Sequence, residues 1–194
     1  ENSRLMAHRK QIYHWLEIVS LEQGLTDKAL KQINTLAGEY KISGHFTLLQ
    51  KLHELLVRVD IVPVGLVLVQ AANESAWGTS RFARIGLNFF GIWCYRPGCG
   101  MVPKGREPGA NHQVAAFTSV NAAVRHYLYN INTNNAYSML RNIRAELRAK
   151  NEPLSAQVLA TGLLAYSQRG ADYVLEISQM IRDNQAYLGN ELTE

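Results

Sequence analysis

Helical periodicity in this chain breaks once, between Gly86 and Phe117, and that break limits the folds open to it. The segment carries many of the chain's 14 glycines, three of its five prolines and both cysteines. Glycine and proline interrupt helices, so no long helix crosses the region. A loop this long inside a compact domain is either functional or disordered. Phe89, Phe90, Trp93 and Tyr95 supply aromatic bulk that disordered segments lack, which favours function. The run HQVAAF reads as the return strand of a short hairpin.

Helices flank the break on both sides. Leu5, Ile12, Leu16 and Val19 recur at helical spacing up to Gly24. Thr26 is placed to cap a second helix with Ala29, Ile33, Leu36 and Tyr40 on one face. A third holds Leu48, Leu49, Leu52, Leu55, Leu56 and Val59. Asp60 and Pro63 mark a break before a fourth, from about Pro63 to Trp77. After the irregular segment, Ser119 can cap a helix with Val120, Val124, Tyr127 and Ile131 inward. Tyr137, Leu140, Ile143 and Leu147 mark the next. Pro153 opens a short apolar helix with Val158, Leu159 and Leu163. The last runs from about Ala171 to Tyr187, with Val174, Ile177 and Ile181 on one stripe. The pattern predicts a mainly α domain with one irregular, β-containing insertion.

The 194 residues, 47% of them hydrophobic, suit one globular domain with a sizeable core. No apolar run reaches the roughly 18 residues of a membrane span. Net charge is +4, with basic residues scattered along the helices rather than blocked together. That argues against a nucleic-acid-binding arm and fits mild attraction to a polyanion such as a bacterial wall or a membrane surface. Cys94 and Cys99 lie close together among glycines. They read as a disulfide pair, which belongs to an oxidising compartment; reduced thiols or half of a metal site are the alternatives. The six histidines have no partners at ligand spacing, so neither a metal nor a cofactor is expected. Ser75 and Ser167 lack any visible His/Asp support for nucleophilic work.

Glu74 carries the sharpest chemical question. It ends the apolar run Leu66, Val67, Val69, Ala71, Ala72. A carboxyl group acts as a general acid near neutral pH only when its pKa is raised, and an apolar setting does that. On a continuous helix, Trp77 falls on the same side as Glu74. Its indole would desolvate the acid and offer a flat face to a sugar ring, with Gly78 ending the helix. The bland alternative is a solvated glutamate on a last helical turn.

The wider pattern decides between these readings. Gln70-Ala71-Ala72-Asn73-Glu74-Ser75-Ala76-Trp77-Gly78, then Ser80-Arg81-Phe82-Ala83, then Asn88-Phe89-Phe90-Gly91-Ile92, resembles the peptidoglycan glucosaminidases of glycoside hydrolase family 73. That family includes the muramidase domain of flagellar rod-assembly proteins, and within it the chain is most similar to the bacterial Bax group. The likeness is strongest from about Val62 to Asn134 and returns near the C-terminus. Residues 1–60 match only at the Bax level, as an N-terminal helical extension of a single glucosaminidase domain whose catalytic core is 61–194. The Glu-Ser motif alone also fits lysozyme-like lytic transglycosylases.

The resemblance implies a lysozyme-like α+β fold, with a helical lobe carrying the acid and a flexible β-containing lobe, about 86–117, facing it. It implies Glu74 as general acid. Glycosidases commonly pair two carboxylates, and Glu107 is the only acid between Glu74 and Glu146. It is the candidate base, with the substrate's 2-acetamido group as the alternative. Near the C-terminus, Tyr166-Ser-Gln-Arg-Gly-Ala-Asp-Tyr173 departs from the family's Tyr…Asp-Pro-x-Tyr turn. The resemblance still assigns a site role to Tyr166 or Tyr173. Trp77, Phe90, Trp93, Gln70 and Ser75 are the candidate substrate contacts.

These readings converge on a bacterial cell-wall hydrolase, an endo-β-N-acetylglucosaminidase that cleaves β-1,4 bonds of peptidoglycan glycan strands. A lytic transglycosylase or a non-catalytic wall-binding module is the alternative. The expected chain is a periplasmic or extracellular monomer. It binds glycan strands and no nucleic acid, and its export signal lies outside this sequence, which opens on the charged, polar segment after Glu1.

Overall fold

The computed structural model describes residues 1–188. Its helices are α1 (Asn2–Ser20), α2 (Asp27–Glu39), α3 (Leu48–Arg58), α4 (Val64–Glu74), α5 (Arg81–Gly86), α6 (Val120–Thr133), α7 (Ser138–Ala149), α8 (Ala156–Ala160) and α9 (Ala171–Asp183). A small antiparallel sheet joins β1 (Trp93–Cys94), β2 (Gly100–Met101) and β3 (Gln113–Ala115). The protein is mainly helical, with the α+β, lysozyme-like division that the resemblance implies.

Local chemistry sets the helix starts. The Thr26 hydroxyl accepts from the Ala29 amide at 3.3 Å, and the Ser119 hydroxyl accepts from Ala122 at 3.0 Å. Thr47 and Gln50 form a reciprocal capping box. Each cap satisfies an otherwise unpaired amide and stabilises its helix by about 1 kcal/mol. The apolar helix α4 buries Gly65, Leu66, Val69 and Gln70 and packs against α8 and α9. α3 lies between α1 and α7.

A buried charge cluster ties α1 and α7 to the turn before α4. Asp60 is 1% exposed. Arg9 reaches its carboxylate at 3.2 Å and Arg148 at 3.0 Å. Arg144, fully buried, donates to the carbonyl oxygens of Asp60, Ile61 and Val57. Asn132 closes the cluster by donating to the Asp60 carbonyl at 2.9 Å. Burying several ions is costly unless every charge is met, and here one carboxylate and a row of carbonyls meet three guanidinium groups. In the sequence these arginines look like solvated helix faces.

The irregular segment folds into more than a hairpin. β3 is the central strand, flanked by β1 and β2. Val114 pairs with both Trp93 and Met101. Cys94 and Cys99 are bonded, with their Cα atoms 6.2 Å apart. Asn88 fastens the first turn of this lobe to its central strand. It is buried, its amide nitrogen donates to Ile92 and Ala115 carbonyls, both at 2.9 Å, and its oxygen accepts from the Phe90 and Ile92 amides. Among the described residues, no helix is long and apolar enough to cross a membrane.

Candidate active site

The fourth helix stops at Glu74, three residues short of the sequence expectation. Ala76, Trp77 and Gly78 follow with φ of 50°, 56° and 76°. Three successive left-handed residues cannot continue a right-handed helix. The turn is held from inside. The Ser75 hydroxyl accepts from the Gly78 amide at 2.7 Å, the Trp77 amide donates to Ala72 at 2.8 Å and the Ser80 amide to Ser75 at 3.0 Å. Non-glycine residues in this conformation are strained, and such strain concentrates at functional sites.

This turn corrects one expectation. Trp77 is not on the Glu74 side of a helix; it sits on the left-handed turn, 67% exposed. The groups around Glu74 come from elsewhere. A Cβ added to Gly91, in the turn before β1, would lie 3.3 Å from Glu74 Oε2, so the carboxyl group reaches the Asn88–Ile92 turn. The Tyr173 hydroxyl of α9 is within hydrogen-bonding reach of it. The two motifs recognised in the sequence, with the tyrosine turn, thus surround one half-buried carboxyl group.

Burial pushes the Glu74 carboxyl above the ordinary carboxylate range. The Tyr173 hydroxyl opposes that by hydrogen bonding to the charged form, Glu176 adds to the upward push, and Arg169 pulls back down. An upward shift by desolvation makes a carboxyl group a better proton donor near neutral pH. Tyr173 is itself pushed up, first by burial and then by the charge of Glu74. Tyr166 and Tyr137 also feel that charge.

A directed hydrogen-bond chain sets the Tyr173 hydroxyl. Tyr127 donates to Gln70 Oε1 at 2.6 Å, which turns the Gln70 amide nitrogen outward to donate to the Tyr173 oxygen at 3.0 Å. With its oxygen accepting, Tyr173 keeps its proton for Glu74. Gln70 and Glu74 are four residues apart on α4, so one helix face carries both the second link of the chain and the acid it ends on. Tyr166 stacks on Tyr173 at 5.3 Å between ring centres and donates to the Phe90 carbonyl at 3.0 Å. It thereby locks the Gly91 turn against α9.

Three residues expected at the sugar surface lie inside instead. Gln70 is fully buried between two tyrosines. Ser75 is buried and caps its own turn. Phe90 is buried and stacks on Tyr127 at 4.3 Å. None presents an exposed surface; each packs or hydrogen-bonds within the framework around Glu74. Trp93 is half exposed, with His112 stacked on its ring at 4.3 Å. Glu107 is exposed in the β2–β3 loop, where its carbonyl accepts from the Ala110 amide, and it is not among the charges acting on Glu74. The carboxylate that does act there is Glu176, paired with Arg169 at 2.6 Å. Sequence reasoning missed it because it lies 102 positions from Glu74 and only the fold of α9 brings it near. Among the described residues, no group of three His, Cys, Asp or Glu side chains could hold a metal ion.

Residues 49–186 match the sequence profile of the glucosaminidase family, described as mannosyl-glycoprotein endo-beta-N-acetylglucosaminidase. The chain belongs to this glycoside hydrolase family. It is also similar to Protein bax of Escherichia coli strain K12, with 36% identity over 188 residues, covering 95% of this chain and 65% of that relative. The chain thus spans just under two thirds of the length of the curated relative it matches. No solved structure gives a significant match. Glu74, the Gly91 turn and the tyrosine turn all fall inside the glucosaminidase segment, whereas α1 and α2 precede it.

Proposed function

We propose that this protein is an endo-β-N-acetylglucosaminidase of the bacterial cell wall, with peptidoglycan glycan strands as substrate and Glu74 as general acid. The observation that carries the reading is the desolvated Glu74 carboxyl, raised in pKa and held between the Gly91 turn and the Tyr173 hydroxyl. Glu74 donates its proton to the glycosidic oxygen as the bond to the anomeric carbon breaks. Tyr173 then hydrogen-bonds the carboxylate that forms, so it acts on the charged state the reaction creates. Tyr166 holds the turn over the acid. Trp77 and Trp93 present exposed rings to the sugars.

Water completes the reaction by one of two routes from the same protonation. Either Glu107, carried in by the lobe, activates it, or the substrate's acetamido group forms a transient ring that water opens. Glu107→Gln separates them: loss of turnover selects the first and full turnover the second. A wall-acting domain places the working site outside the cytoplasmic membrane, in the periplasm or beyond. The Cys94–Cys99 bond suits that oxidising setting.

Mass analysis of a digest of purified sacculi tests the activity. New reducing N-acetylglucosamine ends are the expected product. Anhydromuramic ends would reassign the chain to lytic transglycosylation, and an absence of soluble product would reassign it to wall binding.

A further inference from the structure

The chain's net charge resides in one place. Of its 20 basic and 16 acidic residues, residues 75–117 hold five basic and one acidic, and the remainder is balanced at 15 each. The whole +4 therefore belongs to the segment that forms α5 and the sheet lobe. In the sequence these cations look scattered, because no two are adjacent.

Folding fixes two of them on the lobe. Arg81 donates to the Val102 carbonyl at 2.9 Å, which joins α5 to the β2 end of the lobe. Arg106 donates to the His112 carbonyl at 3.2 Å, and His112 is the residue stacked on Trp93. Both guanidinium groups are met by neutral carbonyls, so their charge is not cancelled. Arg84, Arg96 and Lys104 are exposed. Among the described residues none of the five forms an ion pair, and neither does Glu107, the lobe's single acid. The same segment exposes the rings of Trp93 and Tyr95.

From this arrangement we propose that the sheet lobe selects glycan strands whose sugars carry carboxylate-bearing peptide stems over bare strands. The inference rests on the glycan-cleaving reading and names the substrate class within it. An exposed indole with one face covered by His112 gives a sugar ring a platform on the other. Uncompensated guanidinium and ammonium groups of the same segment give the stem carboxylates their partners. A patch of one sign also raises the local concentration of an anionic polymer.

The test is binding, measured apart from cleavage. Purified strands with intact stems and the same strands stripped of them are titrated against the wild-type chain and against Arg84→Ala/Arg96→Ala/Lys104→Ala. These three side chains make no described contact, and circular dichroism checks the fold. The wild type is expected to bind stem-bearing strands about tenfold more tightly, about 1.4 kcal/mol. That ratio falls toward one in the triple variant. In wild type it also falls as salt is raised from about 0.05 to about 0.5 M, where the screening length drops to a few ångströms. Equal binding of the two strands by wild type, or a preference that survives both the variant and salt, overturns the proposal. Should the triple variant misfold, the wild-type salt series decides alone. Charge-dependent preference without cleavage would leave this inference standing and remove the hydrolase reading; cleavage without preference does the reverse.

Discussion

The carboxyl oxygen Oε2 of Glu74 lies 3.3 Å from the point where a Cβ on Gly91 would sit. The acid at the end of α4 and the turn ahead of the sheet lobe therefore share one surface. Gly91 has φ of 63°, which a side chain disfavours, and the space beside it is the space Glu74 uses.

Gly91→Ala is expected to lose about 1 kcal/mol of stability from the backbone alone. It should also lose turnover beyond what that loss explains, because the methyl group displaces the acid. Urea melts and sacculus digestion on the same preparation separate the two effects. Normal turnover with reduced stability would show that the glycine serves only the turn.

Glu74→Gln is expected to reduce hydrolysis by about 10²–10⁴-fold, the usual worth of a positioned acid. Its stability moves the other way. Because the folded-state pKa lies above the unfolded value, the protonated form favours folding. That contribution is full below about pH 4.5, the ordinary value, and is lost as pH rises through the raised one. The glutamine variant, neutral throughout, should therefore be more stable than wild type at pH 7, with the margin closing at pH 4. A variant less stable at pH 7 would mean that the ionised carboxylate is favourably held.

Tyr173→Phe removes the hydroxyl that lowers the Glu74 pKa. The groups left facing the acid are Glu176, which raises it, and Arg169, which lowers it. Tyr137 and Tyr166 stay neutral because burial pushes both up. The high-pH limb of kcat/KM is expected to move upward in the variant. It should move less in Tyr127→Phe, which only loosens the Gln70 amide. Identical pH profiles for the three proteins would remove the relay from the mechanism.

Asp60→Asn leaves Arg9, Arg144 and Arg148 without their shared anion. A loss of about 3–5 kcal/mol is expected in equilibrium unfolding. A loss under about 1 kcal/mol would show that the carbonyls alone satisfy the arginines.

What could be read in the sequence was local. Thr26 and Ser119 announce helix starts because a hydroxyl and an amide three residues on suffice to make the cap. Glu74 alone left a solvated reading open, and the motifs downstream of it decided. Trp77 lies off the expected face because hydrogen bonds among residues 72–80 hold a left-handed turn at 76–78, which helical spacing does not encode. Gln70, Ser75 and Phe90 share a motif with the acid, but a motif does not say which side meets solvent. Glu176 and Asp60's partners needed pairings between residues 51 to 102 positions apart, which no periodicity encodes.

Arg9 carries that Asp60 cluster across the border of the family match. It sits in α1, ahead of the segment that matches the family, yet it donates to the Leu56 and Val59 carbonyls and pairs with Asp60 inside that segment. A chain trimmed to the family's borders would open this seam, exposing Asp60 on the side it now shares with the extension. The first helix is therefore part of the cooperative unit, and the border of the family match is not a border of the fold.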